Sequence, residues 1–144
     1  GRAQLRATDL GAGSVAVAAA FEGNDNFAPG AAAFTQVVRV PTITSLSCLP
    51  NPSSFGEAVV IVARVGDAGL GVPTGAVTFA SGEKVLATEA LDARGEASIT
   101  IATLQPGTDG LTASYGGDGY FAPSSAAVLH RVDRATTTID IRPT

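Results

Sequence analysis

The sequence predicts an all-β fold, an antiparallel sandwich of seven short strands, and three observations carry that prediction. Apolar and polar residues alternate at period two, and nowhere do apolar residues hold the spacing of a helical face. Turn signals rich in Gly, Pro, Asn and Asp recur about every 8–12 residues. A stretch of sequence also recurs at a fixed offset, the mark of a tandem architecture.

The strands follow in order. Residues 42–48 (TITSLSC) form the first, stopped by Pro50-Asn51-Pro52, because proline cannot donate to a ladder. Residues 57–65 form the second, with Val59, Ile61, Ala63 and Val65 on one face. Val60 and Val62 lie on its other face, which reflects β propensity on a partly covered surface, or a lateral contact if the strand is an edge. Residues 75–80 place Val77 and Phe79 together, and residues 84–91 run to the turn Asp92-Ala93-Arg94-Gly95. Residues 96–102 align Ala97, Ile99 and Ile101, and residues 111–115 align Leu111, Ala113 and Tyr115. Residues 124–132 close the unit.

The repeat fixes the organisation. Moved by 94 positions, the start of the chain lies on its end without a gap. Gly13, Ala19 and Gly23 meet Gly107, Ala113 and Gly117, and Phe27-Ala28-Pro29 meets Phe121-Ala122-Pro123. Ala32, Val38, Thr42 and Thr44 meet Ala126, Val132, Thr136 and Thr138. Residues 1–40 are then the back part of one unit, 41–134 a complete unit, and 135–144 the first strand of a third. A unit that begins half-way leaves Val15, Val17, Ala19 and Phe21 without a covering sheet. The expectation is a segment of a longer protein, or a missing half supplied by another chain.

The complete unit resembles the bacterial immunoglobulin-like repeat domains that are strung in tandem along secreted and cell-surface proteins. The resemblance rests on Thr42-Ile43-Thr44 leading to Pro50-Asn51-Pro52-Ser53-Ser54-Phe55-Gly56, then Pro73-Thr74-Gly75-Ala76-Val77-Thr78-Phe79 and Val85-Leu86-Ala87-Thr88. Its most specific part is Tyr115-Gly116-Gly117-Asp118-Gly119-Tyr120-Phe121-Ala122-Pro123-Ser124. Residues 21–30 (FEGNDNFAPG) are a second copy, departing with Phe21 for the tyrosine and Asn24 for the aspartate. The resemblance implies an Ig-like sandwich in tandem and an extracellular or cell-surface location. The paired cysteines and buried tryptophan of antibody domains are absent, as the chain has one Cys and no Trp. Aliphatic packing must therefore hold the core, with Phe79, Tyr115 and Phe121 as its largest fillers and Gly117, Asp118 and Pro123 shaping the turn.

Composition narrows the functional classes. A formal charge of −4 with singly scattered arginines gives no basic stripe, so nucleic-acid binding is disfavoured. The longest apolar run, residues 58–63, is far too short to span a bilayer. One cysteine, Cys48, cannot form a disulfide framework and is expected to be a small buried apolar residue. One histidine, His130, has no second His with which to share a metal, and lies where the earlier copy has Gln36, which predicts a solvent-facing or edge position. Asp118 and Asn24-Asp25-Asn26 have the oxygen-rich look of a calcium loop, but each loop offers one carboxylate where calcium takes six to eight oxygens. A tight turn capped by the Asp or Asn side chain is the expectation. Glu83, Glu89, Asp92 and Glu96 are spaced as solvated residues, so no catalytic residue, metal site or cofactor is predicted.

The joins between units point to a mechanical role. Residues 34–40 run through Pro41 directly into the next strand, and Val132-Asp133-Arg134-Ala135-Thr136 is just as short, with no Gly/Ser linker. Pro41 fixes its own φ and biases Val40 to extended geometry. The expected function is a spacer or stalk of an extracellular bacterial protein, an adhesin stalk or filament component, whose partners are neighbouring Ig-like repeats or identical chains. The second reading is a module that binds a surface glycan or protein ligand beside a secreted enzyme, with Tyr120 as its aromatic platform; an enzyme is the third.

Overall fold

The computed structural model describes residues 1–66 and 69–141. These form no helix and ten strands: β1 (Gly13–Phe21), β2 (Gly30–Val38), β3 (Ile43–Leu49), β4 (Ser53–Ser54), β5 (Val59–Gly66), β6 (Ala76–Ser81), β7 (Lys84–Ala90), β8 (Glu96–Ile101), β9 (Gly107–Tyr115) and β10 (Ser124–Asp133). Two sheets make a sandwich, one in the order β3-β5-β8 and the other β4-β10-β9-β6-β7; β1 and β2 form a separate hairpin.

Alternation dictates what is buried. Along β5, Val59, Ile61, Ala63 and Val65 point into the core, and they meet Val77, Phe79, Leu111, Ala113 and Tyr115 from the facing sheet. Cys48 is buried at the end of β3, and burial pushes its thiol pKa up, so it sits there as an uncharged apolar side chain. Strand β5 is the middle strand of its sheet, paired on both sides by β3 and β8. Val60 and Val62 are therefore on the outer face of a central strand, and their backbone offers no free edge.

Three further features depart from the sequence-based expectation, the first being that β9 begins at Gly107, four residues before the predicted start. The unit holds an extra short strand, β4, and it pairs parallel with β10 through Val132↔Ser53 and Asp133↔Ser54. Two residues are too few to show alternation, so nothing local announces them. The second predicted strand also begins later, at Val59, because residues 54–57 form a turn. There the Ser54 N–H donates to Glu57 Oε2 at 2.8 Å and the Glu57 N–H donates to Ser54 O at 2.9 Å.

The sequence offset of 94 reappears as geometry. β9 and β10 pair from Gly107↔Val132 to Tyr115↔Ser124, and β1 and β2 pair from Gly13↔Val38 to Phe21↔Gly30. The register is the same in both hairpins, residue for residue. Residues 134–141 form no strand, and 142–144 lie outside the described residues.

Candidate functional site

A densely hydrogen-bonded surface is formed by the turn between β9 and β10 together with the strand that enters the unit beside it. Gly117 has φ +78°, and a Cβ there would lie 2.8 Å from Phe121 O and 2.9 Å from Pro123 N, so only glycine fits. Asp118 caps the turn. Its Oδ1 accepts from the N–H groups of Tyr120 and Phe121 at 2.8 and 2.6 Å, and the Asp118 N–H donates to Phe121 O at 3.0 Å. Its Oδ2 accepts from the N–H and Oγ1–H of Thr74 at 3.1 and 2.6 Å. Desolvation opposes ionisation, but these bonds from Thr74, Phe121 and Tyr120 outweigh it and hold the carboxyl well below the usual range.

Both oxygens of Asp118 are thus engaged by donors of the protein itself, as a capping role requires and a calcium ligand does not. Among the described residues no three His, Cys, Asp or Glu side chains come together in a way that could hold a metal ion. Tyr115 completes the corner by donating to Thr74 O at 2.8 Å. Burial, and then the nearby Asp118 carboxylate, push its phenol pKa up to about 12. Phe79, Tyr115 and Phe121 are all buried, and Gly117, Asp118 and Pro123 shape one turn.

The first copy builds the same turn with a different acceptor. Asn24 Oδ1 accepts from the N–H groups of Asn26 and Phe27, both at 3.0 Å, and the Asn24 N–H donates to Phe27 O at 2.9 Å. At Gly23 (φ +86°) a Cβ would meet Phe27 O and Pro29 N at the same 2.8 and 2.9 Å. The backbone setting of Phe27 and Phe121 is therefore shared, but their side-chain settings are not: Phe121 is 5% exposed and Phe27 67%. The sandwich that covers Phe121 has no equivalent over Phe27 among the described residues.

The join lies against the second turn. The Val40 N–H donates to Tyr120 O and the Ala122 N–H to Val40 O, both at 2.8 Å, which makes Val40 a parallel bridge partner of Phe121. Thr42 Oγ1–H donates to Ala122 O at 2.8 Å, and Ser124 Oγ lies 2.7 Å from the hydroxyls of both Thr42 and Thr44. Val40 and Thr44 are buried. The ring of Tyr120 lies against Gly13 at the start of β1, where a Cβ would be 3.4 Å from its Cε2, and meets Phe121 edge-on with centroids 5.9 Å apart. One side of the Tyr120 ring, at Cδ2 and Cε2, thus lies beside the hairpin, and the residue stays 48% exposed.

His130 overturns its sequence-based placement, because it is fully buried. Ser53, on β4, approaches its Nε2 through Oγ at 2.9 Å, while Nδ1 has no hydrogen-bond partner. Asn51 fastens the covering segment, its Nδ2 donating to Leu129 O at 2.9 Å and its Oδ1 accepting from the Arg131 N–H at 3.1 Å. Comparison with Gln36 misled because, among the described residues, the first hairpin has no counterpart of β3 and β4 to cover that position. The burial of His130 depends on contacts 77 residues away, and no local signal reveals it.

No curated protein matches the chain. The family model that matches residues 46–133 describes the bacterial Ig-like domain (group 3), and with more than half of its length matched the chain belongs to that family.

Proposed function

We propose that the chain is a stretch of a structural spacer in which Ig-like units follow one another with stiff joins, as part of an extracellular or cell-surface bacterial protein. The join at Val40 carries this reading. Two backbone hydrogen bonds, a buried valine and three hydroxyls anchor the strand leaving the first hairpin to the turn of the next unit, with Pro41 limiting the bend between them. A strand of nine residues at about 3.3 Å per residue gives a module of roughly 30 Å, so successive units would project a distal part away from its anchor. On this reading the partners are neighbouring Ig-like repeats or identical chains. No helix among the described residues is long and apolar enough to cross a membrane.

NMR relaxation of the chain tests the stiffness. The amides of β1 and β2 should report the same rotational correlation time as those of β9 and β10. Independent, faster tumbling of the hairpin would overturn the proposal, as would freely jointed beads in electron micrographs of a longer stretch of the protein.

A further inference from the structure

After Cys48 the chain crosses from the sheet of β3 to the edge of the other sheet, where β4 lies, before it returns at Val59. Cys48 and Val59 are buried, and among the described residues between them Ser53 alone is. The large apolar side chains of the crossing, Leu49 and Phe55, are 70% and 46% exposed, and no side chain of residues 49–58 joins the apolar core. Hydrogen bonds to β10 hold the crossing instead. Asn51 bonds Leu129 O and the Arg131 N–H, the Phe55 N–H donates to Asp133 O at 2.8 Å, and β4 pairs with Val132 and Asp133. Its buried contact is that of Ser53 Oγ with His130 Nε2 at 2.9 Å.

His130 is fully buried and its Nδ1 has no hydrogen-bond partner. A proton on the ring makes both nitrogens donors, so it places a charge in the interior with an N–H that has no acceptor. The surroundings offer that charge little. On β9, Asp109 lies opposite in register but makes no hydrogen bond to the ring. Strand β3, packed on β10, brings Cys48, a thiol that burial keeps uncharged. Glu57, the ionisable side chain of the crossing, is engaged by the Ser54 N–H. Arg131 and Asp133, on β10 itself, pair with each other at 2.7 Å.

We infer that His130 is an acid-operated latch: a proton on its ring releases residues 50–57 from β10 while the two sheets stay assembled. The crossing gives way first because it touches the ring directly and has no side chain in the core, so its opening exposes little apolar surface. With the crossing released, the ring takes its proton near the ordinary value of 6.5, whereas burial lowers the value in the closed form. Opening therefore grows as the pH falls through 6.5, by at most about 25-fold between pH 7 and pH 5. It bares Leu129 O, the Arg131 N–H and Asp133 O, which lengthens the sheet edge open to pairing. The first hairpin carries Gln36 at the equivalent position and has no such latch. The inference does not depend on the spacer reading.

Amide exchange of the unaltered chain at pH 7 and pH 5, followed by NMR at several low urea concentrations, tests it. The reporters are the Phe55 and Arg131 amides, whose acceptors lie across the seam between the crossing and β10. Their protection, corrected for the intrinsic pH dependence of exchange, should be lower than that in β5 and β6 and should not respond to urea, as local opening requires. It should fall by up to about 25-fold from pH 7 to pH 5. His130→Gln should hold it constant over that range. Ser53→Ala, which leaves the ring in place, should weaken protection at both amides already at pH 7. Protection that is the same at pH 5, protection as urea-dependent as that of β5, the same fall in His130→Gln, or unchanged protection in Ser53→Ala would each overturn the inference.

Discussion

Asp118 and Thr74, 44 residues apart, are joined by two hydrogen bonds to a single carboxylate oxygen, at 3.1 and 2.6 Å, while the other oxygen caps the turn before Phe121. Truncation to alanine should remove both functions and cost about 1–3 kcal/mol in urea unfolding. Asp118→Asn should cost less. Asn24 shows that an amide oxygen suffices for the turn, while an amide nitrogen facing Thr74 N–H loses the link. The folded carboxyl has a lowered pKa, so its stabilising effect is complete above the unfolded value near 3.8 and fades as the pH falls below it. The Asn variant should lose that part of the acid dependence. Equal stability of the three proteins at pH 7 would rule out a structural role for the carboxylate.

Phe121 and Phe27 share a motif and a turn but differ in burial. Phe121→Ala should cost about 3–5 kcal/mol, through lost apolar burial and a cavity beneath the turn. Phe27→Ala should stay within about 0.5 kcal/mol. Thermal unfolding of the two variants side by side measures the difference. Equal losses would mean that Phe27 is covered in solution.

These two residues also mark how far the sequence could be read. Strand positions and the inward set Val59, Ile61, Val77, Phe79, Leu111 and Tyr115 were legible because alternation is local. The Gly117-Asp118 turn was legible as a turn because glycine and aspartate have definite backbone roles. What escaped notice depended on distant segments. Ser53-Ser54 is too short to show a period, and the burial of His130 involves that distant segment, which Asn51 fastens onto β10. Thr74, the partner of Asp118, carries no mark in its own neighbourhood that singles it out.

Gly117 and Gly56 separate two costs that are often confused. Both have positive φ, +78° and +84°, but a Cβ at Gly56 would meet nothing within 4 Å, whereas at Gly117 it would strike the Phe121 carbonyl. Gly56→Ala should therefore cost only the left-handed conformation, about 1–2 kcal/mol. Gly117→Ala should cost that and the displacement of the turn, about 3 kcal/mol or more, and should loosen the join by shifting Tyr120 and Ala122. Denaturation midpoints give the first comparison, and amide exchange at Val40 gives the second. A Val40 amide as protected in Gly117→Ala as in the unaltered chain would show that turn and join are uncoupled.

His130 makes the sandwich sensitive to mild acid. Burial lowers its pKa, and the Asp109 carboxylate opposite it on β9 opposes that shift without cancelling it. The imidazole is therefore neutral in the folded unit at pH 7, with Ser53 at Nε2. The unfolded chain takes up a proton near the ordinary value of 6.5, before the folded chain does. Stability should be level above about pH 6.5 and fall below it, with a slope of at most about 1.4 kcal/mol per pH unit until the folded pKa is reached. His130→Gln, the residue found at the equivalent position of the first hairpin, keeps an amide for Ser53 and has no proton to gain. Its unfolding free energy should be nearly flat between about pH 7 and pH 5. Parallel pH profiles for the two proteins would show that the ring titrates alike in both states and is not enclosed by β4 in solution.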